Sequence, residues 1–491
     1  MKFKDLLSGL PVVSCSGNED DEIRGIAYSS KEVKPGWLFA ALIGVKRDGF
    51  DFTEEALSKG AAAFLSERPK PPHLRGNWIH VQDAREALAL CASNFYGHPS
   101  RKMKVIGVTG TNGKTSITYL VEEILKHAKC IPGVIGTISC RTPKMNVSSH
   151  LTTPEAPDLQ RIMQEMVDQG VTHCAIEVSS HSLDLKRVWG IQFAVVVFTN
   201  LSGEHLDYHH SMDAYFEAKK KLFFLNQSKR IAVINIDDVW GQKLIPQIPV
   251  SSLTYGLQER ATVRCRRYRL DESGIEMEVS YPGGEMEVRS PLLGRPNLYN
   301  ILASIAISLA LKISQVSIKD GLAKCAFIPG RFERIENSFG FHIYVDYAHT
   351  DDALRNLLQS FRELQPKRIL LVFGAGGDRD RTKRERMGKV AADYADWVFL
   401  TSDNPRSEDP LAIIQEIEKG IKERGKKNYS IHPGRREALE HVLSLAQEGD
   451  FILVAGKGHE GYQIIKDKVI PFDDREVIRQ ILRKMETQRN G

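Results

Sequence analysis

Residues 105–116 read Val-Ile-Gly-Val-Thr-Gly-Thr-Asn-Gly-Lys-Thr-Ser, and a helical pattern continues through Ile117–His127. An apolar strand runs into a glycine-rich turn, and the turn ends in Lys-Thr where the helix begins. That order makes a phosphate cradle. Backbone N–H groups of the turn and of the helix N-terminus point at anionic oxygens, Lys114 adds a charge, and Thr115 offers a hydroxyl to Mg²⁺. Gly110, Thr111, Asn112, Gly113 and Ser116 complete the loop. The common form of this loop has four residues between its first glycine and the Gly-Lys pair. Here only Thr111 and Asn112 separate Gly110 from Gly113, a narrower signature than a general ATP loop.

Downstream, apolar strands are expected at His173–Val178, Ala194–Thr199 and Ile231–Asn235, with helices between them. This alternation predicts an α/β fold whose central unit is a parallel sheet of the P-loop ATPase type. Residues 251–293 carry alternating short strands around Gly274 and Pro282-Gly283-Gly284, read as an antiparallel insert before a helix at Asn297–Leu311. Upstream, a strand at Gly36–Leu42 mixes with helices at Thr53–Lys59 and Ala84–Tyr96, and Gly97-His98-Pro99-Ser100 then breaks the chain. A third segment begins near Arg331. Its strands Ile369–Phe373, Trp397–Thr401 and Phe451–Ala455 run into polar loops at 374–379, 402–406 and 456–460. Ligands of open α/β sheets bind beyond the carboxyl ends of the strands, so this segment is expected to be a Rossmann-like α/β domain with its own site. The glycines at 374–377 do not follow the dinucleotide pattern, so no nicotinamide cofactor is expected. The expected division is 1–100, 101–330 and 331–491.

The bulk properties narrow the function classes. A chain of 491 residues exceeds one core. Its 67 basic and 62 acidic residues leave a net charge of +5, with no basic–aromatic surface for nucleic acid. Seven scattered cysteines without a Cys-x-x-Cys pair fit reduced thiols in a cytoplasm. The first residues lack the apolar stretch of a signal peptide, and runs such as Ala194–Phe198 are far too short to span a bilayer. A cytoplasmic protein without membrane or nucleic-acid partners is expected.

Glu177 ends a strand and is followed by Val178-Ser179-Ser180-His181. An acid at a strand end beside a phosphate loop suits Mg²⁺, which prefers oxygen ligands; the plain alternative is a solvated carboxylate. Asn200-Leu201-Ser202-Gly203-Glu204-His205-Leu206-Asp207-Tyr208-His209-His210 is dense in possible ligands. It lacks the cysteines or helical His-Glu-x-x-His spacing of a zinc site, so one histidine in an oxygen-rich Mg²⁺ site fits better. Lys219, in Glu217-Ala218-Lys219-Lys220-Lys221, reads from its neighbours alone as a solvated helix face.

These segments, with Gly294–Asn300, Gly330-Arg331, Asp346-Tyr347-Ala348-His349 and Asp403-Asn404-Pro405-Arg406, occur in an order that resembles the Mur ligases over nearly the whole chain. The short phosphate loop is also similar to that of folylpolyglutamate synthases, which share the architecture. The resemblance implies three domains binding a UDP-sugar-peptide, ATP and an incoming amino acid, in chain order, in a monomer active in peptidoglycan precursor synthesis. Lys114 and Thr115 would handle the γ-phosphate and Mg²⁺, with Glu177 and His205 as further metal ligands. Lys219 would be a carboxylated lysine, and Asn297, Arg331, Asp346 and His349 would lie near the adenine, ribose or phosphates. Ser30 and Val45-Lys46-Arg47 match contacts to the UDP end. Thr152, Thr153, Ser179 and Arg187 match contacts to the muramyl peptide. Arg379, Asp403, Asn404, Pro405, Arg406, Gly456 and Glu460 match contacts to the amino acid. Meso-diaminopimelate carries a distal carboxylate that a guanidinium grips with two parallel hydrogen bonds, while Asp403 and Asn404 would accept from the distal ammonium. The implied reaction adds meso-diaminopimelate to UDP-N-acetylmuramoyl-L-alanyl-D-glutamate through an acyl phosphate. A lysine-adding or folylpolyglutamate-type amide ligase, or more distantly a non-catalytic nucleotide-binding protein, remains open at this point.

Overall fold

The computed structural model describes residues 1–44, 47–149, 151–225 and 230–490, the last of these without its side chain. Three large sheets carry the chain, each covered on both faces. The first orders its strands Val12–Ser16, Asn77–Val81, Ala63–Ser66, Trp37–Ala41 and Gly25–Ala27, parallel except for the first pair. Gly97 and His98 turn through positive φ, and a short 3₁₀ turn at Pro99–Arg101 leads into the second sheet.

At the centre of that sheet lies Lys104–Thr109, flanked by parallel strands Val195–Phe198 and His173–Glu177. Its inner residues Val105, Ile106 and Val108 are fully buried, as expected of a parallel strand with helices on both faces. The helix Lys114–His127 supplies one cover with Ile117, Leu120, Val121, Ile124 and Leu125, a stripe at helical spacing. Beside it pack Arg295–Ala310 and Gln315–Lys324. Ala156–Asp168 and Met212–Lys220 border the opposite core.

One expectation is corrected here. Residues 252–256 do not open an antiparallel insert; Ser252–Gly256 pairs parallel with Ile231–Asn235 and extends the central sheet. The antiparallel part is the meander Val263–Asp271, Gly274–Tyr281 and Gly284–Ser290. The helix Val239–Leu244 supplies a crossover before residue 252, and such a crossover returns the next strand parallel.

The third sheet runs Glu333–Ile335, His342–Asp346, Asp450–Ala455, Arg368–Phe373, Trp397–Thr401 and Tyr429–His432, all parallel but the first pair. Its strands end on one edge, and a buried ion pair fixes two of those ends. Arg435 Nε and Nη2 each donate to the Asp474 carboxylate at 2.7 Å, and both side chains are 0% exposed. The same guanidinium donates to Ala455 O at 3.0 Å and Ser402 O at 3.4 Å. Asp474→Ala would leave this guanidinium buried without its counter-charge, at a cost of about 3–5 kcal/mol. A lowered urea midpoint for the variant is the expected result; an unchanged midpoint would remove the pair from the list of structural anchors.

Candidate active site

The phosphate loop is shaped by close backbone approach. Gly110 has φ +144° and Gly113 φ +91°. A Cβ at Gly110 would lie 1.8 Å from Thr199 Oγ1, and one at Gly113 2.5 Å from Asn300 Oδ1. Asn200 fastens the loop from the neighbouring strand end: its carbonyl accepts from Thr111 N and its side-chain oxygen from Asn112 N, both at 2.9 Å. Lys114 Nζ donates to Gly110 O and Thr111 O at 2.8 and 2.7 Å. Lys219, only 1% exposed, donates to the same Gly110 carbonyl at 2.8 Å. Burial, and then the charge of Lys114, push the Lys219 amine well below its ordinary pKa. The solvated-face reading of this lysine is therefore wrong: the side chain turns inward to the loop.

Glu177 is 1% exposed and joins several segments. Its carboxylate accepts from Thr115 Oγ1, Thr137 N and Thr137 Oγ1, each at 2.9 Å. Its backbone carbonyl accepts from Thr153 Oγ1 at 2.7 Å. Thr137 Oγ1 lies 3.1 Å from Thr152 Oγ1, Ser179 N donates to Thr153 Oγ1 at 3.2 Å, and Arg187 Nη1 donates to Thr153 O at 3.0 Å. The residues matched to the muramyl peptide thus gather beside Glu177. Among the described residues, no group of three or more His, Cys, Asp and Glu side chains is arranged as a metal centre. Mg²⁺ usually keeps waters and substrate phosphates as ligands and takes only one or two carboxylates. The adjacent Thr115 hydroxyl and Glu177 carboxylate are the hard oxygen donors such a site uses, so the residues present fit the ion.

A cavity of about 180 Å³ over this loop shares Glu204, His205, Tyr347, His349 and Thr350 with a larger cleft of about 550 Å³. His205 sits in a left-handed turn at φ +57°, its ring 4.8 Å from that of His181. Burial lowers its pKa to about 4, against the charge of Glu204. Glu204, which the sequence reading quoted without a role, lies 3.6 Å from His349 Nε2. Burial would raise its carboxyl, but His349, His205 and Lys114 hold it well below the usual range. Arg331 lies over the Tyr347 ring at 4.8 Å. Asp346 spends its oxygens on Phe332 N and Ala348 N, both at 2.8 Å. Asn297 and Asp346 line a smaller recess beside Thr115, Ser116 and Arg331.

The larger cleft gathers Arg379, Asp403, Asn404, Arg406, Gly456 and Glu460 from three strand ends. Pro405 is buried behind it, its carbonyl 1.9 Å from where a Cβ on Gly377 would stand. Gly456, at φ +111°, leaves room for the Asp403 carboxylate, which a Cβ there would meet at 2.5 Å. Arg406 has φ +53°, and pairing with the hairpin Tyr462–Ile465 and Lys468–Pro471 holds it: Arg406 N donates to Ile464 O at 3.0 Å, and Lys466 N to Arg406 O at 2.7 Å.

Asn404 Oδ1 accepts from Ile464 N at 3.0 Å and Lys457 Nζ at 3.4 Å. Lys383, unassigned from sequence, also lines the cleft. Ser30 and Arg47 line neither cavity: Ser30 is buried and donates to Glu55 at 2.8 Å, while Arg47 is exposed. Val45 and Lys46 lie outside the described residues.

Comparison with known proteins identifies the family. Residues 22–96 match the Mur ligase family catalytic domain, 108–308 the Mur ligase middle domain, and 330–458 the Mur ligase glutamate ligase domain. The chain belongs to the Mur ligase family, the ATP-dependent amide ligases. A relative from Caldanaerobacter subterraneus subsp. tengcongensis, named UDP-N-acetylmuramoyl-L-alanyl-D-glutamate–2,6-diaminopimelate ligase, is 43% identical over 99% of this chain and 100% of its own length. A protein of the same name from Syntrophomonas wolfei is 42% identical, covering 98% of this chain and 99% of its own. A solved structure of a ligase of that name superposes with a TM-score of 0.71 at 32% identity, covering 99% of both chains.

His459 lies where the third sheet's loop meets Gly330; a Cβ on Gly330 would come within 2.1 Å of His459 N. Burial, and then the charges of Arg331 and Arg475, lower its pKa to about 3 from 6.5. An unfolded chain therefore takes up this proton first, and the stability it lends is complete above pH 6.5 and lost as pH falls toward 3. His459→Asn should flatten the fall of melting temperature between pH 7 and pH 5 relative to the unaltered protein. Parallel pH profiles for the two proteins would contradict the burial argument.

Proposed function

We propose that the chain joins meso-diaminopimelate to UDP-N-acetylmuramoyl-L-alanyl-D-glutamate, with ATP converted to ADP and phosphate. The γ-carboxylate of the D-glutamyl residue attacks the γ-phosphorus of ATP, ADP leaves, and an acyl phosphate forms. The amine of diaminopimelate then attacks the acyl carbon, and the tetrahedral intermediate expels phosphate. The observation that carries this reading is the continuity of the two cavities through Glu204, His205, Tyr347, His349 and Thr350. It supports the reading because an activated carboxyl in one cavity and an amine in the other would share a floor, and such positioning is a large part of ligation chemistry.

Two anions meet in the first step, so Lys114 offsets charge at the phosphates. Thr115, Glu177, His205 and the modified Lys219 would hold Mg²⁺, which when bound would neutralise phosphate charge. A carbamate requires a neutral amine, and burial, which pushes the Lys219 pKa down, favours that form. In this reading residues 1–100 hold the UDP end through Ser30, Val45, Lys46 and Arg47, 101–330 hold ATP, and 331–491 hold the amino acid. No helix among the described residues is long and apolar enough to cross a membrane. The enzyme is proposed to act as a cytoplasmic monomer, without nucleic acid.

A mass-spectrometric assay offering ATP, the UDP-muramyl dipeptide and either meso-diaminopimelate or L-lysine tests the substrate. Preference for lysine would sink the reading. Arg406→Ala should raise the KM for diaminopimelate roughly 10- to 150-fold, the value of a charged hydrogen bond at about 1.5–3 kcal/mol, with the KM for ATP nearly unchanged. Incubation with ¹³C-bicarbonate should give a carbamate carbon resonance that Lys219→Ala abolishes. A spectrum without that resonance would remove the lysine from the metal set.

A further inference from the structure

Behind the amino-acid cleft lies a lysine that the mechanism above does not use. The side chain of Lys457 is 0% exposed, in the loop after Asp450–Ala455. Its ammonium lies 3.2 Å from Glu460 Oε2, 3.4 Å from Asn404 Oδ1 and 4.0 Å from Asp403 Oδ1, and 5.6 Å from the centre of the Tyr462 ring. An ammonium can only donate, and so can a backbone N–H. Ile464 N, at 3.0 Å, therefore joins Lys457 in requiring the oxygen of the Asn404 amide on their side. On the other side Asn404 Nδ2 lies 2.8 Å from Glu460 Oε2, which as a carboxylate can only accept. Turning the amide over would set its NH₂ against two donors and its oxygen against an anion. Oδ1 thus accepts from two donors, and Nδ2, on a residue that lines the cleft, has a second N–H beyond the one given to Glu460.

The cleft therefore presents two kinds of group. Arg406 and the second N–H of Asn404 donate, which suits a carboxylate; Asp403 and Glu460 accept, which suits an ammonium. Lys457 lies beside both acidic groups, and Arg379 and Lys383 line the same cleft. The hairpin contributes to the same end, since Gln463 Nε2 donates to Asp403 O at 2.8 Å and Ile464 lies within it.

We infer that Lys457 is a positioning residue for substrate choice: with Ile464 N and Glu460 it holds the Asn404 amide in one orientation, and this lets the Asp403–Arg406 loop read a distal carboxylate beside a distal ammonium. The inference rests on the proposed diaminopimelate reading. It concerns Lys457, which touches no reacting atom, and the polarity it imposes on its neighbour.

The test compares kcat/KM for meso-diaminopimelate with that for L-lysine, which lacks the distal carboxylate, together with the KM for ATP. Lys457→Met keeps the volume and removes the donor. It should raise the KM for diaminopimelate roughly tenfold or more and lower the diaminopimelate-to-lysine ratio by a similar factor, about the worth of one charge-assisted hydrogen bond. The KM for ATP should stay within about twofold, an effect confined to amino-acid binding. A ratio unchanged within twofold, or equal rises in both KM values, overturns the inference. Should Lys457→Met fail to fold, Asn404→Asp reads the same polarity with Lys457 in place. An aspartate cannot donate at neutral pH, so the ratio should again fall, and a preserved ratio overturns the inference. Should the unaltered enzyme itself not use diaminopimelate, the proposed function fails, an outcome separate from either variant result.

Discussion

A buried carboxylate has to be met by donors, and the way Glu177 meets this demand organises the nucleotide side of the molecule. Its two oxygens take three hydrogen bonds, from Thr115 at the start of the loop helix and from the backbone and hydroxyl of Thr137. An unpaired charge at this depth would cost several kcal/mol, so the three segments are held together by the need to solvate it. Gly136 belongs to the same constraint, because a Cβ there would stand 2.2 Å from Glu177 Oε1. The Thr152-Thr153, Ser179 and Arg187 group is then assembled around the Glu177 carbonyl. The start of the loop helix and the residues matched to the muramyl peptide are therefore positioned from one strand end.

The third sheet meets the opposite problem with the opposite charge. Its cleft lies on three loops at strand ends, and each loop is held from behind by a buried cation. Arg384, 0% exposed, donates to Gly376 O at 3.0 Å and pairs with Glu408 and Glu416. Arg435 holds Ser402 O and Ala455 O, and Lys457 holds Asn404 and Glu460. Side chains that are expensive to bury buy loop geometry here, since a carbonyl facing a fixed guanidinium cannot turn away without leaving a charge unpaired. The Glu204, His205 and His349 group then links this cleft to the cavity over the glycine loop, so cavities on two sheets share one wall.

Much of this was legible in the chain. The phosphate loop, the strand Trp397–Thr401 and the helical stripe from Ile117 to Leu125 are local patterns, set by residue order and period, and they stand where those patterns put them. The parallel pairing of Ser252–Gly256 was not legible, because a short apolar run does not reveal its partner. Lys219 misled for a related reason. Three consecutive lysines read as a solvated face, yet one of them is 1% exposed because its helix packs against the loop carbonyl at Gly110. Glu204, Thr137 and Lys457 carried no signal of their own: Thr137 gains its role from Glu177, 40 positions on, Lys457 from Asn404, 53 positions back, and Glu204 from a cavity built by two sheets.

The sequence alone determined which chemistry is available: a loop that cradles phosphate, carboxylates at strand ends, and a guanidinium in Asp403-Asn404-Pro405-Arg406. These follow from residue type and local spacing, which act over a turn or a strand. The tertiary structure alone decided how those groups are used. Burial pulls the pKa of Lys219 down, Glu177 is committed to three donors, and the Asn404 amide turns its oxygen to Ile464 N and its nitrogen to Glu460. Charge state and hydrogen-bond direction depend on what surrounds a group on every side, and in this molecule those surroundings come from segments far apart in the chain.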